Sequence, residues 1–476
     1  MDFKRTLFLS APSFARFDGG AGARYQARRE ITSYWFPTWL AQPAAMIPGS
    51  KLIDAQPHHL GWDEVLQTAK DYELVVMNTS TPSFSNDVKF AEALKSLNPG
   101  VMIGLCGAHT MVSPTPSLEA SEALDFVCGK EFDYTLVEVA QGRDLSEIDG
   151  LSYRRDGKLH HNRPRALIED LNELPSVLPV YRDNLEVERY YNGYMRHPYV
   201  SFYTGRGCRS KCSYCLWPQT IGGRVYRVQS PERVAEEAQR VKEYWPQVKE
   251  IFFDDDTFTD NRERSEACAK LLGPLGISWC VNAKPNVPYD TLKIMHDNGC
   301  RLLLVGIESG NQQILNNIRK GTRVDRIREF FAHCHDLGIE THGCFIIGLP
   351  VETAETIEES MKLAKELDPE SLQVSLATPY AGTELYQQAV ENGWFGGDAI
   401  IHDDGTQSPS LRYDRLSPED MDRAVERFYK MYYTNPRVLW RLIKPMLHDP
   451  DERRRRLREG REFLSFFQHR GECESC

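Results

Sequence analysis

The sequence predicts an α/β protein with an N-terminal doubly wound, Rossmann-like domain, a partial (βα)6 TIM-like barrel and a C-terminal helical extension. Three observations support this fold class. Short apolar segments alternate with helical patterns in the first part of the chain, and the alternation resumes with longer, more regular units from residue 199. After residue 415 only helical patterns remain. Apolar strands that alternate with helices are typical of parallel sheets covered on both faces.

The length, charge and composition of the chain limit the kinds of protein that it can be. A chain of 476 residues is too long for one ordinary domain. The net charge of −11 argues against a nucleic-acid partner, because phosphate neutralisation needs a basic face. No apolar run approaches the roughly 18 residues that a membrane-spanning helix needs. Seven scattered cysteines within apolar runs indicate reduced thiols. We therefore expect a cytoplasmic protein.

The first domain is predicted over 1–145 and a linker over 146–195. Its strand-like segments are 5–13, 51–55, 73–80 and 101–109, each ending at Ser, Gly, Pro or Asn. Parallel sheets of this kind bind ligands at the carboxyl ends of their strands. The predicted linker has charge, proline and little periodicity.

The barrel is predicted over 196–400 and the helical region over 401–476. Helical patterns follow its strands, and the clearest begins with Ser230 as N-cap and Pro231 in the first helical position. We find six strand–helix units and not the eight of a complete barrel. The predicted strands are 199–204, 250–255, 276–284, 301–308, 339–350 and 371–379.

The stretch GRGCRSKCSYCLWP, 205–218, contains Cys208, Cys212 and Cys215 within eight positions. A closed zinc site or a four-cysteine cluster takes every ligand from the protein. Three cysteines leave one iron of a four-iron cubane without a protein ligand, which is useful if a substrate must bind that iron. The loop also follows the first barrel strand, on the face where barrel enzymes carry their active sites. A zinc site with a distant fourth ligand is the alternative, although no second CxxC lies nearby.

CRSKCSYC resembles the CxxxCxxC motif of radical S-adenosylmethionine (SAM) enzymes. The resemblance implies a [4Fe–4S] cluster on the three cysteines, whose open iron is chelated by SAM. It implies that an electron, from a donor such as flavodoxin or ferredoxin, cleaves SAM to a 5'-deoxyadenosyl radical that abstracts a substrate hydrogen. Tyr214 matches the aromatic position that lies against the adenine.

Residues at other strand ends fit the same pocket by resemblance. Asp254, Asp255 and Asp256 end the second strand, and one or two of them are expected to accept hydrogen bonds from the SAM amino group. Asn282 and Lys284 end the third strand with open roles. Glu308, next to Ser309, matches the residue that binds the ribose hydroxyls, and a helix cap is the alternative role of Glu308. Gly348 matches the adenine-binding turn, and Pro379 matches the sixth-strand turn.

The N-terminal domain resembles the cobalamin-binding domain of one radical SAM class, and CGAHTMVSP resembles its loop near the lower face of cobalamin. The sequence has no D-x-H-x-x-G motif, and Gln56 stands where the nearest string, QPHHLG, would need Asp. His58 and His59 are therefore not expected to bind cobalt. A domain that has lost its cofactor is the alternative.

The stretch from Phe17 to Pro57 resembles hopanoid-biosynthesis radical SAM proteins that make the cyclitol ether head group of bacteriohopanetetrol. The resemblance implies ring contraction of glucosaminyl bacteriohopanetetrol, a hopanoid lipid substrate. A glycine-rich loop, 19–22, and the arginines 24, 28 and 29 either contact a polar ligand or begin a solvated helix. Two other functions stay open at this point: a cobalamin-dependent radical SAM methyltransferase, and a non-catalytic iron–sulfur or cobalamin sensor.

Two C-terminal features have weaker interpretations. The basic run 453–456 with Arg458, followed by aromatic residues up to Phe467, is typical of a helix on an anionic membrane surface or of a surface helix packed on the barrel. The first interpretation predicts peripheral contact with the inner membrane. Cys473 and Cys476 form a terminal CxxC, either a metal or redox pair or part of a frayed tail.

Overall fold

The computed structural model describes residues 3–13, 17, 27–397, 399–403 and 405–473, without the side chains of 451 and 467–473. The predicted loop at 19–22, Arg24 and Cys476 lie outside the described residues, as does the Cys473 side chain.

The N-terminal sheet has seven strands in the order β2-β1-β3-β4-β5-β6-β7, of which β1 to β5 are parallel. Alternate residues of β1 and β3 belong to two hydrophobic clusters, one on each face. This is the doubly wound arrangement that the sequence predicted. The strands are β1 Thr6–Ser10, β2 Lys51–Asp54, β3 Leu74–Asn78, β4 Met102–Cys106, β5 Phe126–Cys128, β6 Leu151–Arg155 and β7 Lys158–His161. The helices are α1 Thr38–Met46, α2 Trp62–Ala69, α3 Phe84–Leu97, α4 Ala108–Val112, α5 Pro114–Glu119 and α6 Asp133–Ala140.

The last two strands of this sheet fall inside the predicted linker, 146–195. β6 and β7 form an antiparallel hairpin that pairs with β5. Asp156 and Gly157 have φ angles of +52° and +72° at its turn, the left-handed conformation that Asp-Gly favours in two-residue hairpins. The predicted linker, 146–195, thus contains a hairpin over 151–161 that belongs to the first sheet. α7, Leu178–Asn184, follows the hairpin.

The second sheet has six parallel strands in the order β8-β11-β12-β13-β14-β15 and forms the predicted partial barrel. As predicted, Ser230 caps α9, accepting a hydrogen bond from the Arg233 amide at 3.2 Å. The strands are β8 Tyr199–Phe202, β11 Glu250–Phe253, β12 Ser278–Ala283, β13 Cys300–Glu308, β14 Glu340–Ile347 and β15 Ser371–Leu376. The helices between them and after β15 are α8 Leu216–Gln219, α9 Pro231–Tyr244, α10 Arg262–Leu272, α11 Tyr289–Asp297, α12 Gln312–Asn317, α13 Val324–Leu337, α14 Ala354–Leu367 and α15 Glu384–Asn392.

A short antiparallel ribbon, β9 Gly205–Arg206 and β10 Arg227–Val228, brackets the cysteine loop. The C-terminal helices are α16 Pro418–Tyr433, α17 Pro436–Ile443 and α18 Pro450–Cys473. α16 lies along the edge strand β15, where the Tyr429 hydroxyl accepts a hydrogen bond from the Val374 amide at 2.9 Å. A covered edge cannot pair with another chain. Among the residues described, no helix combines the length and the hydropathy needed to cross a bilayer.

Candidate active site

A cavity of about 330 Å³ opens at the carboxyl ends of the barrel strands and extends into the barrel between β13, β14 and β15. Its wall on one side is the cysteine loop, where Cys208, Cys212 and Cys215 line the cavity together with Tyr214. Polar residues from the strand ends line the opposite side. The structure thus brings the three cysteines and the predicted strand-end pocket together.

The cysteine loop closes on itself through glycine. Gly207 has a φ of +86°, and a Cβ there would lie 2.3 Å from the Val225 carbonyl oxygen and 2.7 Å from that of Gly222. Only glycine permits this approach. The Cys208 amide then donates a hydrogen bond to the Gly223 carbonyl at 3.2 Å, so the two ends of the loop are in direct contact.

Gln219 holds the interior of the loop. Its Nε2 donates to the carbonyl oxygens of Cys215 at 2.6 Å, Ser213 at 3.2 Å and Cys212 at 3.4 Å. Its Oε1 accepts a hydrogen bond from the Glu384 amide at 3.1 Å. Sequence reasoning missed Gln219, because a glutamine in an irregular segment gives no local pattern.

The three thiols do not converge on one point. Among the described residues, no three His, Cys, Asp or Glu side chains are placed to hold a single metal ion. A cubane does not need such convergence, because each sulfur binds a different iron. Burial raises the pKa of Cys212 and Cys215, whereas the Lys320 ammonium lowers both. Iron binds thiolates, so loading the site with iron must release protons.

The structure separates the three aspartates after β11. Asp255 is fully buried and accepts hydrogen bonds from the Thr204 amide at 2.6 Å, the Gly205 amide at 2.8 Å and the Tyr226 hydroxyl at 2.9 Å. It therefore supports the start of the cysteine loop and does not face the cavity. Asp254 lies 3.3 Å from the Asn282 amide and also outside the cavity wall. Of the three aspartates, among which one or two were expected to contact SAM, only Asp256 lines the cavity.

Glu308 lines the cavity beside a cation that the sequence analysis missed. Its carboxylate accepts a hydrogen bond from Lys320 Nζ at 2.5 Å, and Lys320 also lines the cavity. Burial lowers the pKa of Lys320, but Glu308 together with Cys212 and Cys215 raises it, and the net shift is upward. Glu308 has a φ of +67° at an irregularity of the β13–β14 register, which turns its side chain inward. Burial, and next the charge of Glu308, raise the pKa of Tyr214 well above its usual value.

Three predicted residues lie outside the cavity wall. The Ser309 hydroxyl lies 3.3 Å from that of Ser360 on α14. The Gly348 amide donates to Glu352 at 2.5 Å and its carbonyl accepts from Tyr413 at 2.9 Å, so its backbone is used within the protein. Pro379 is buried away from the cavity. In place of Gly348, the residues of β14 that line the cavity are His342, Cys344, Phe345 and Ile346.

The deep end of the cavity is polar and partly built by the N-terminal segment. Arg29 Nη2 donates to Gln373 Oε1 at 3.0 Å, and its guanidinium lies 5.3 Å from the Trp35 ring. His342 is buried, and burial lowers its pKa to about 3, so its ring is neutral. Its Nδ1 contacts Ser371 Oγ at 2.8 Å, while Nε2 makes no hydrogen bond with any residue in the described part of the chain. A polar ligand group in the cavity would satisfy that nitrogen.

The N-terminal domain contacts the cysteine loop through buried charges. Arg227 of β10 donates to both oxygens of Glu131 at 2.7 Å, and Arg206 of β9 pairs with Asp133. The Arg206 guanidinium lies 4.7 Å from the Trp39 ring, which stacks at 6.3 Å on Trp217 of the loop. The loop is therefore held between the barrel and the first domain.

The ligand-binding edge of the first sheet faces the same region. Strand order reverses between β1 and β3, the switch point at which doubly wound sheets bind ligands. α4 follows β4 at this edge, and a Cβ added to Gly382 of the barrel would lie 2.3 Å from a Val112 methyl group. His58 contacts the Asp54 carbonyl through Nδ1 at 2.8 Å and accepts from the Glu186 amide at Nε2 at 3.0 Å. Both ring nitrogens are occupied, so His58 is not placed to bind cobalt.

Comparison with known proteins decides the family. Residues 202–364 match the radical SAM superfamily. An uncharacterised methyltransferase of Pyrococcus horikoshii is 30% identical over 421 residues, which are 85% of this chain and 89% of that protein. The chain belongs to the radical SAM superfamily.

As a radical SAM protein it uses a [4Fe–4S] cluster and SAM, the cofactors that the three-cysteine loop predicted. Two solved structures share its architecture. The cobalamin-dependent SAM radical enzyme OxsB has a TM-score of 0.69 at 14% identity, covering 99% of this chain and 71% of that one. The radical SAM methyltransferase TsrM of Kitasatospora setae, with cobalamin and a [4Fe–4S] cluster bound, has a TM-score of 0.67 at 13% identity, covering 98% of this chain and all of that one. At these identities the likeness shows the fold.

Proposed function

We propose that this radical SAM protein is a cobalamin-dependent methyltransferase whose substrate binds in the barrel cavity. The observation that carries the proposal is the position of the cysteine loop, between the barrel cavity and the ligand-binding edge of the doubly wound domain. That arrangement allows two cofactors to reach one substrate. The relative from Pyrococcus horikoshii and TsrM are both described as methyltransferases, which supports methyl transfer over the ring contraction that the sequence alone favoured.

The residues of the loop fit a cubane with one open iron. Cys208, Cys212 and Cys215 would hold the cluster, which when bound supplies the electron that cleaves SAM. Lys320 and Lys284 place positive charge at the same cavity and offset the charge of three thiolates. The electron comes from a partner such as flavodoxin or ferredoxin.

Other cavity residues would orient SAM. Asp256 offers a carboxylate to its amino group, and Glu308 offers one to the ribose hydroxyls. Lys320 holds the Glu308 side chain in place, because their ion pair is buried. Tyr214 offers an aromatic face for the adenine.

The residues at the switch point fit cobalamin held without a histidine on cobalt. The segments that follow β1, β3 and β4 carry small side chains, Ala11, Ser80 and Ala108, which would permit a flat ligand to approach the sheet edge. His58 is occupied, and the His109 ring lies 4.4 Å from that of Phe84 with Nδ1 at 3.2 Å from the Thr81 hydroxyl. Cobalamin, when bound, supplies a carrier for the methyl group.

The test is anaerobic reconstitution with iron, sulfide and cobalamin, followed by metal, corrin and product analysis. We expect about four irons per chain, one cobalamin, and both 5'-deoxyadenosine and S-adenosylhomocysteine from SAM. The variant Cys212→Ala should lose the cluster and both products, whereas Cys268→Ala, on α10, should keep them. Failure of the reduced protein to cleave SAM would contradict the proposal.

A second candidate is the hopanoid ring contraction, in which the head group of glucosaminyl bacteriohopanetetrol becomes a cyclitol ether. Its support is the resemblance of the N-terminal segment together with the deep end of the cavity, where Arg29, His342 and Gln373 present hydrogen-bonding groups beside Trp35. Polar groups around a flat ring suit a hydroxylated head group. This reaction yields 5'-deoxyadenosine without stoichiometric S-adenosylhomocysteine, so the same assay distinguishes the two. Gene deletion with membrane-lipid profiling identifies the hopanoid substrate. Membership of the radical SAM superfamily favours these two reactions over the sensor hypothesis.

A further inference from the structure

Four large apolar side chains are exposed on α17 and the turn after it. Leu439 is 41% exposed, Trp440 58%, Ile443 43% and Leu447 61%. A single exposed apolar side chain is ordinary on a protein surface, but a cluster of them marks an interaction site. Leu439 and Ile443 are four residues apart on α17 and Trp440 lies beside them, so these three follow one side of the helix. Leu447 belongs to the turn 444–447 that follows.

The helix that carries them is fixed to the barrel. Val438, on its other side, is fully buried. Arg441 Nη2 donates to the Pro369 carbonyl at 2.7 Å and to Asp368 Oδ1 at 3.2 Å. These contacts anchor α17 beside the start of β15. The apolar side chains therefore face outward because the helix is held in one orientation.

Basic residues are close in sequence to the apolar cluster and outnumber the acidic residues of the same segment, although the chain as a whole has a net charge of −11. Arg437, Lys444 and Arg453 are exposed, and none makes an ion pair with a residue in the described ranges. α18 extends the pattern with exposed Leu457 and Arg458. An exposed tryptophan ringed by lysine and arginine is typical of segments that lie in a membrane interface.

We propose that α17, the turn 444–447 and the first half of α18 form a surface that docks on an anionic lipid bilayer. The positive charge of this surface indicates which partner binds to it. Lipid phosphates complement the basic rim, whereas a twofold contact with a second copy would place Arg437 and Lys444 near their own counterparts. The proposed docking surface is centred on Trp440. From the sequence alone, the basic and aromatic residues of α18 are instead the candidate membrane contact. Docking does not depend on which reaction the cavity performs.

The test is cosedimentation of the full-length protein with vesicles of phosphatidylcholine alone or mixed with phosphatidylglycerol. We expect binding to the mixed vesicles and release by salt, because screening weakens charge attraction. The double variant Trp440→Glu/Leu447→Glu should abolish binding. Lys444→Gln should weaken it about fivefold, which corresponds to the ~1 kcal/mol per basic residue near an anionic surface. The matched control is Val390→Glu on α15, where the valine is 56% exposed and its neighbours in sequence, Gln387 to Asn392, include no basic residue.

Thermal unfolding and iron content, equal to wild type, show that the variants are folded. Binding that is absent in wild type, or that survives in the double variant, would overturn the proposal. Light scattering measures the oligomeric state and so tests the alternative partner, a second copy of this chain. A dimer that disappears in the double variant would assign the surface to that copy. Vesicle binding is measured without turnover, so its failure is distinct from a failure of the proposed reaction.

Discussion

Arg206 donates two hydrogen bonds to Asp133, from Nη1 at 2.7 Å and from Nη2 at 3.2 Å, and both side chains are buried. Arg206 immediately precedes Gly207, where the cysteine loop closes, while Asp133 is the first residue of α6 in the other domain. Paired, desolvated charges with two parallel hydrogen bonds fix relative orientation better than apolar contact does. The position of the three thiols thus depends on a residue outside the barrel.

Asp133→Asn tests that dependence. It keeps the shape of the side chain but leaves the buried Arg206 charge with less compensation, and removal of one partner of a buried pair costs about 3–5 kcal/mol. We expect a lower free energy of unfolding in urea and a lower iron content after reconstitution. The control is Asp149→Asn, whose partner Arg163 is exposed, and it should change neither. An unchanged iron content in Asp133→Asn would show that the loop is positioned by the barrel alone.

Gln219→Leu tests the internal clamp of the loop. The change removes three donated hydrogen bonds, each contributing about 0.5–1.5 kcal/mol, and leaves buried carbonyl oxygens without them. We expect slower cluster assembly and faster cluster loss to a chelator, measured by visible absorbance. Gln239→Leu, on the exposed face of α9, is the control. Equal rates of cluster loss in the two variants would contradict the role of Gln219.

Lys320→Met tests the cation in the cavity. It leaves Glu308 buried without its ion-pair partner and removes a positive charge that lowers the pKa of Cys212 and Cys215. We expect a more negative cluster potential and weaker SAM binding, by about tenfold or more for a loss above ~1.4 kcal/mol. Potentiometric titration and equilibrium dialysis with SAM measure the two effects. The control is Lys293→Met, which removes an exposed ion pair with Asp297 on α11. It should alter neither the cluster potential nor SAM binding.

Glu352 gives the protein an unusual pH dependence. Burial raises its pKa from 4.5 to about 8, so the folded state holds a proton that the unfolded state releases above pH 4.5. Its contribution to stability is therefore present below pH 4.5 and is lost as the pH rises to about 8. Glu352→Gln should flatten the fall in unfolding free energy over this range, measured by urea denaturation at several pH values. Glu355→Gln, exposed on α14, should retain the wild-type slope.

The fold could be predicted from the sequence where the local pattern and the final environment agree. The strands β8 and β11 are buried along their whole length and were recognised as mainly apolar runs, and the capped start at Ser230 gives α9. The hairpin at 151–161 was missed because its strands are short and partly exposed. The Asp-Gly pair at its turn was the signal that could have identified it.

The site was only partly predictable, because sequence proximity to a strand end does not fix the direction of a side chain. Consecutive residues point to opposite sides of a strand. Asp255, Asp256 and Ser309 lie beyond the ends of β11 and β13, where this alternation no longer applies. The sequence therefore did not show that Asp256 lines the cavity while Asp255 lies beneath the loop. Nor did it show that Glu308 faces inward while Ser309 packs on α14. Lys320 is twelve residues beyond Glu308, and only the fold of the α12 segment brings it back.

Arg29 and Trp35 come from the first domain yet form part of the barrel cavity wall. A fragment beginning at the barrel would consequently have an incomplete substrate chamber, however well its strands assembled. Conversely, substitutions at Arg29 or Trp35 would reshape the cavity wall without replacing any of the three cysteines. Substrate range and radical initiation can thus diversify separately within a single chain.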